Sequence, residues 1–591
     1  MKNKLWIFIF AFLAICPGKS LGDEKRSEAV AVTQQDKERV VTGEVFDDQG
    51  PIIGATVRVK GTQNGKITDL DGKFTLSVPI GATIVVSFVG YEDKEIVYKG
   101  ESKLKISMAE SATLLEEVQV IAYGTTKKVT VTGALSSVKS DEIMKSPVGS
   151  IANALSGKVP GLSSVQSSGQ PGADDATLYV RGVGSLSTGL SAPLCLVDGV
   201  ERSFTQLDPN EVKDASATAV FGVRGANGVI LVTTKRGQSG KAKITFSTSA
   251  GLQMPTNIPE FANSYDYAMT YNAAQLRDGV AEDKLMFTDA MLEGFRTHSN
   301  PILYADTDWT DLLIKNSALQ TQHNMTISGG SDRVRYFASL GVFTQKGLFE
   351  TFHENDRGFS YNRYNYRINM DIDVTKTTSM KINLGGRLTD KTEPNYNNGT
   401  YTDISYLYDN IYSAVPFSGA GIVDGKWISV NKSVFGNFGV INDGLNTYYG
   451  KGYTTTGGNV INFDFSLEQK LDVLTKGLKA HIKGAYNSGV TDKRRREGKA
   501  DQYEAYLTES GETLIRKIQE AQTMGWTQEA GQSRDWYLEA ALNFQRDFGL
   551  HHVSALAMYN QTMKYYPSKN TVHSLPVQSV GLSLKRSLWS H

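Results

Sequence analysis

The sequence predicts a mainly β protein: a signal peptide, a small β-sandwich, an α+β domain and a partial transmembrane antiparallel β-barrel. Three observations carry that expectation. The chain opens with an apolar run behind two lysines, continues in short strands punctuated by turns, and gives its second half to long alternations of apolar and polar residues. Composition points the same way. Glycine (57) and tyrosine (27) are plentiful in the 591 residues and proline (15) is not, a mixture suited to strands and tight turns. Acidic and basic side chains balance to a formal net charge of +0, which removes any bulk electrostatic case for nucleic acid.

Lys2 and Lys4 precede the apolar run Leu5 to Ile15, and Ser20 and Gly22 supply small residues at cleavage-site spacing. Residues 1–22 therefore read as a secretory signal peptide, the run being too short to cross about 30 Å of hydrocarbon. Its removal takes Cys16 and leaves Cys195 without an internal partner. No later segment has 18 consecutive apolar residues, so the exported chain is either soluble or a β-barrel.

Residues 23–40 are a polar, flexible lead-in. Across 41–110, alternating segments (Val41 to Phe46, Ala55 to Lys60, Lys73 to Val78, Ile84 to Val89, Leu104 to Met108) are separated by turn residues, as in a small β-sandwich. Asp69-Leu70-Asp71-Gly72 lacks the later ligands of a calcium loop and reads as a hairpin turn. The stretches VTGEVFDDQGPIIGATVRVKGT, TDLDGKFTLSV and VVSFVGYE resemble the carboxypeptidase regulatory-like domain, a module of many unrelated exported proteins.

A strand-prone linker covers 111–127, and 128–240 is rich in Gly, Ser, Ala and Val. There, SPVGSIANALSGKVPGL suggests a short helix closed by Gly157 and stopped by Pro160, while ATLYVRGVGSL and GVILVTTKRG suggest glycine-flanked strands. From 241 to 570 the pattern changes. Tyr364, Tyr366, Ile368, Met370 and Ile372 alternate with Arg363, Asn365, Arg367, Asn369 and Asp371, and similar alternations run through 334–343 and 381–388. Period two places one set on each face of a strand. Strands of about 10 residues with one apolar and one charged face, joined by alternating short turns and long loops, suit a membrane barrel around a water-filled lumen. A large soluble antiparallel β-protein is the other reading.

The stretches VTGALSSVKSDEIMKSPVGSIANALSGKVPGLSSVQSSGQPG, LYVRGVGSLS, PLCLVDGV and KDASATAVFGVRGANGVILVTTKRG resemble the plug of TonB-dependent receptors of the SusC/RagA type. The order of signal, sandwich, linker, plug and barrel matches that family, and the resemblance runs to about residue 570. It implies outer-membrane import of a large nutrient, an oligosaccharide or a peptide. It also implies energy coupling through TonB with ExbB and ExbD, a SusD/RagB-type surface lipoprotein as partner, contact with outer-membrane lipid, no cofactor or metal, and no catalysis. Glu117, Val118, Gln119, Val120, Ile121, Ala122, Tyr123 and Gly124 occupy the family's TonB-box position, where an extended peptide adds to a sheet edge of TonB; an interdomain linker is the plainer alternative. In the plug, Gly182, Gly184, Gly222, Gly225 and Gly228 permit positive φ and close approach. Arg181 and Arg224 beside them either pair with lumen carboxylates or stay solvated.

Two departures qualify the resemblance. Asp208-Pro209-Asn210-Glu211 runs through Val212 straight into Lys213-Asp214-Ala215, where the family has about one more strand; a lost central plug strand would leave its neighbours' backbone unpaired. Residues 241–570 hold about half of the 22 strands of this transporter class, and 571–591 reads as an aberrant tail, so a truncated barrel is expected. Rival functions fit less well. Residues 23–40 are too short for a signalling domain. For an exported enzyme, the 62 acidic residues include no pair placed across a cleft, and the eight histidines show no H-E-x-x-H spacing.

Overall fold

The computed structural model describes residues 38–588, apart from 48–49, 63, 89–90, 92, 109–117, 122–123, 128–134, 147, 183–191, 206, 219–226, 397–403, 436–442, 550 and 568–571. The expected signal peptide and most of the lead-in lie outside these residues. The chain divides into two compact units, one reaching Gln119 and including Thr126–Val129, the other comprising the remainder.

The first unit is a sandwich. Lys73–Pro79, Glu38–Phe46 and Lys103–Ser107 form one sheet; Gly65–Ile67, Thr56–Val59, Thr83–Ser87 and Lys94–Val97 form the other. Alternation does the sorting: Phe74, Leu76 and Val78 point inward and pack with Val41, Val57, Ile84 and Ile106, while the residues between them face solvent. The Asp69 carboxylate accepts the Asp71 and Lys73 amides, 3.0 and 2.8 Å, which makes the expected turn. The flanking strands belong to opposite sheets, however, so the turn is an arch rather than a hairpin.

In the second unit, the residues of the expected plug form a five-stranded sheet in the order Leu135–Lys139, Val212–Thr218, Val229–Thr234, Leu194–Val197, Val200–Glu201. Val229–Thr234, an apolar run with no alternation, is the central strand and is buried on both faces. The short helix is Ile151–Ala154, and Gly157 follows it at φ +70. The abrupt passage expected after Glu211 leads directly into a paired strand. Val212–Thr218 begins at once and is paired on both sides, with Leu135–Lys139 and with Val229–Thr234. A register shift between Val212 and Asp214 accommodates the abrupt entry.

A single ten-stranded antiparallel sheet dominates: β1 (Gly240–Gln253), β2 (Ala318–Gly330), β3 (Val334–Lys346), β4 (Ser360–Asp373), β5 (Thr378–Pro394), β6 (Gly452–Lys470), β7 (Leu478–Lys499), β8 (Gln522–Phe548), β9 (His551–Pro567) and β10 (Val572–Leu588), each hydrogen-bonded to the next. The strands are longer than expected. Connections at one end are short (331–333, 374–377, 471–477, 549–550), whereas those at the other include 254–317, 347–359, 395–451 and 500–521. The stretch expected to be an aberrant tail supplies β10. Strand addition is driven by backbone hydrogen bonds, which the register from His551↔Leu588 to Pro567↔Val572 satisfies whatever the side chains are.

The long connections build a cap with its own cores. One gathers Trp309, Leu313, Phe349, Phe359, Trp427 and Tyr448; the other stacks Phe287, Phe295, Phe417 and Phe435, whose ring centroids are 4.9 to 6.2 Å apart. A four-stranded sheet (Gly419–Val423, Lys426–Val430, Gln502–Leu507, Thr513–Gln519) ties 395–451 to 500–521. Helix Ser264–Arg277 starts at Asn263, whose side chain accepts the Asp266 amide.

Candidate functional site

The two faces of β4 state the chemistry of the sheet. Arg363 and Arg367 are each 3% exposed, whereas Tyr364 and Ile368, on the opposite face, are 47% and 44% exposed. This inverts the soluble arrangement. The polar face was expected to border water; instead it packs on the plug, and its charges are paired there.

Those pairings run along the wall. Glu211 takes the Arg367 Nε–H at 2.7 Å and the Ser339 hydroxyl at 3.4 Å, both across from the plug. Asp208 accepts Gln322 Nε2 at 3.1 Å, with the Arg363 guanidinium 4.0 Å away and stacked over Phe343. Arg236 reaches Asp371 at 2.7 Å, and Lys564 reaches Glu201 at 2.7 Å. Arg202 makes a two-pronged contact with Asp464 and adds Asn487 Oδ1 at 2.7 Å. Neutral groups fill the intervals. Asn369 donates to Thr234 Oγ1 and the Lys235 carbonyl, Gln170 to Glu393, and Gln345 to Asp174.

Local backbone explains how the plug presents these groups. Asp208 caps the 3-10 turn Pro209–Glu211 by accepting the Asn210 amide, which aims Glu211 at the wall. Asp198, at φ +49, turns Leu194–Val197 into Val200–Glu201 and holds Thr234 by its amide and hydroxyl, 3.0 and 2.6 Å. Burial pushes the Asp198 carboxyl up, but Arg236 and Arg367 outweigh it and hold the group below the usual range. For Glu211 burial wins over Arg367, and its carboxyl lies above the usual range. Close contact also needs glycine: a Cβ on Gly172, at φ +70, would lie 2.4 Å from the Tyr361 ring.

The residues expected to matter fall in various places. Val118–Ile121 is extended and pairs with Gly124–Lys127 in a two-stranded sheet; Glu117, Ala122 and Tyr123 lie outside the described residues. Gly182 and Gly228 take φ +99 and +85, and a Cβ on Gly228 would meet Val180 at 2.4 Å. Gly184, Gly222, Arg224 and Gly225 lie outside the described residues. Arg181 is exposed at φ +60, and no carboxylate among the described residues pairs with it. Sequence reasoning missed Arg202, Asp208, Glu211 and Arg236 as wall contacts. The available signal was the charged face of β4, which needed buried partners of opposite sign.

Comparison with known proteins follows this layout. Residues 41–120 match the CarboxypepD_reg-like domain, and residues 127–229 match the TonB-dependent Receptor Plug Domain. The TonB-dependent receptor SusC of Bacteroides thetaiotaomicron is 31% identical over 410 residues, 64% of this chain and 38% of that protein. The TonB-dependent receptor P26 of Formosa agariphila is 31% identical over 360 residues, 58% of this chain and 34% of that protein. The chain thus spans about a third of the length of these relatives. A RagAB peptide importer in an open-open state shares the fold with TM-score 0.56 at 19% identity, covering 80% of this chain and 55% of that one. These relatives are receptors and transporters rather than enzymes. Over the part of those proteins that it spans, the chain thus carries a CarboxypepD_reg-like domain and a TonB-dependent receptor plug domain, is similar in sequence to SusC, and shares the fold of the RagAB importer.

Proposed function

We propose that the chain serves TonB-dependent import of a large nutrient across the outer membrane, with the plug as the movable gate. One observation carries this reading: the plug has an apolar core of its own, built on Ile151, Leu155, Val212, Ile230 and Val232, yet meets the wall largely through ion pairs and amide contacts, with the Phe343 and Tyr361 rings set against plug glycines. A domain cored in this way can shift as a body while exchanging wall contacts for water. An apolar interface would resist that exchange.

The remaining assignments rest on the same reading. The outward apolar face lies in outer-membrane lipid, the cap faces outside, and the box at 117–124 is the handle for TonB, driven by ExbB and ExbD, because strand-prone residues there can add to a sheet edge. A SusD/RagB-type lipoprotein covers the cap. The cargo is an oligosaccharide; a peptide is the alternative, in line with the peptide importer of similar fold. A cysteine at Val120 is expected to cross-link to TonB in cells only while cargo is supplied. Deletion of 117–124 is expected to abolish uptake while leaving the chain in outer-membrane fractions. Uptake unchanged by that deletion would refute the assignment.

A further inference from the structure

The outward face of β7 and its neighbours carries a feature that the import reading does not use. Asp464 and its Cα partner Ala485 face the plug, so the even-numbered residues of β7 face away from it. In order they include Ile482, Tyr486 and Val490, an exposed apolar belt, and then Arg494 and Arg496. Across the next strand, Arg534 lies level with Ser488, stacked over Tyr565 at 4.2 Å, and Trp526 lies level with Arg496 and is 67% exposed. At about 3.4 Å per residue and a tilt near 40°, Arg494 stands roughly 10 Å beyond Val490 towards the cap. That height is within arginine reach of a bilayer head-group layer.

Positive charge is in excess there, with Asp492 offsetting Arg494 alone. Asp492 is engaged by Arg494 at 2.8 Å and by Gln528 at 2.6 Å. Among the described residues no carboxylate pairs with Arg496 or Arg534. The next outward carboxylate on the neighbouring strands, Asp390, is two strands away, about 10 Å. Arg494 and Arg496 stand above the apolar belt with Trp526 beside them, while Arg534 and Tyr565 lie level with its upper part; such a surface has two requirements, an acyl chain below and a doubly charged oxyanion above.

We propose that Arg494 and Arg496, with Arg534 nearer the belt, bind the phosphate head groups of lipids in the leaflet on the cap side. The proposal rests on the membrane reading of the sheet. Arginine forks match phosphate geometry, and each basic group at an anionic surface contributes about 1 kcal/mol, roughly a five-fold preference. The test uses the 591-residue chain inserted into phosphatidylcholine vesicles doped with spin-labelled phosphatidic acid or spin-labelled phosphatidylcholine, reading the motionally restricted lipid fraction. Wild type is expected to prefer phosphatidic acid. Arg494→Gln/Arg496→Gln is expected to lower that preference roughly 25-fold at low salt. Lys493→Gln/Arg495→Gln, which removes the same charge from the opposite face of the same strand, is expected to leave it within about two-fold. Equal loss in both variants, or no preference in inserted wild type, overturns the proposal. Failure of the wild type to enter either vesicle, read by protease protection, overturns the membrane reading itself.

Discussion

Replacing Arg202 by methionine tests whether ion pairs hold the plug to the wall. The side chains of Arg202 and Asp464 are 6% and 3% exposed, and the guanidinium also holds Asn487. Its loss leaves Asp464 with one long hydrogen bond, from Asn383 Nδ2 at 3.5 Å, and with the more distant charges of Lys483 and Arg367. Removing one partner of a buried pair costs about 3–5 kcal/mol, because the remaining charge keeps its desolvation cost and loses its compensation. Removing both is expected to restore most of that, so Arg202→Met/Asp464→Leu should lie close to wild type. The assay is maleimide labelling of a cysteine at Ala485, the wall residue level with Asp464. The native Cys195 provides a quiet background, since burial pushes its thiol up to about 12. With 1.4 kcal/mol per factor of ten, Arg202→Met should label on the order of a hundred to several thousand times faster, and the double variant within about ten-fold of wild type. Wild-type labelling in Arg202→Met, or a double variant as fast as the single one, would refute the reasoning.

Other outcomes follow from the same geometry. Asp443 in the cap accepts Trp427 Nε1–H at 2.9 Å and the Leu445 amide at 2.8 Å, and burial pushes its carboxyl up to about 7. The folded cap therefore holds a proton that the unfolded chain releases near pH 4. Cap stability is fully present below that pH and falls by about 4 kcal/mol as pH rises to about 7. Thermal melts followed by Trp427 fluorescence should show this slope, and Asp443→Asn should flatten it; a slope that survives in the variant assigns the titration elsewhere. Gly477→Ala places a Cβ 2.1 Å from the Gln545 carbonyl oxygen at φ +88, and a drop of about 1–3 kcal/mol in urea stability is expected. An unchanged midpoint would mean that the turn relaxes freely. Leu340→Arg, on the outward face of β3, should cost about 2–4 kcal/mol in lipid and almost nothing in a water-soluble fold, as measured by folding into vesicles.

Much of this architecture was legible because period-two patterning is a local signal. Arg363 to Ile372 declares two unlike faces, and the structure keeps them unlike. The pattern does not say what each face touches. A charged inner face is compatible with water or with a plug, and only the fold brings Glu211 to Arg367 across a sequence separation of 156 residues. The cap was unread for a similar reason: Phe287 and Phe295 come from one connection and Phe417 and Phe435 from another, and no local period links the two pairs. The missing strand after Glu211 was inferred from motif spacing against the resembled family. A register shift beside Val212 lets the short entry pair fully, a tolerance that spacing does not reveal. Arg181 drew notice for its neighbouring glycines, yet its φ of +60 serves the turn and leaves the side chain in the open.

Adjacent cysteines at Ile368 and Asn369, labelled with a fluorophore in vesicles of brominated lipid, separate the two faces most directly. The alternation requires strong quenching at Ile368, the bare apolar face, and almost none at Asn369, which is buried against Thr234 and Lys235. Equal quenching at both positions, or none at either, would contradict a wall with lipid outside and a plug within.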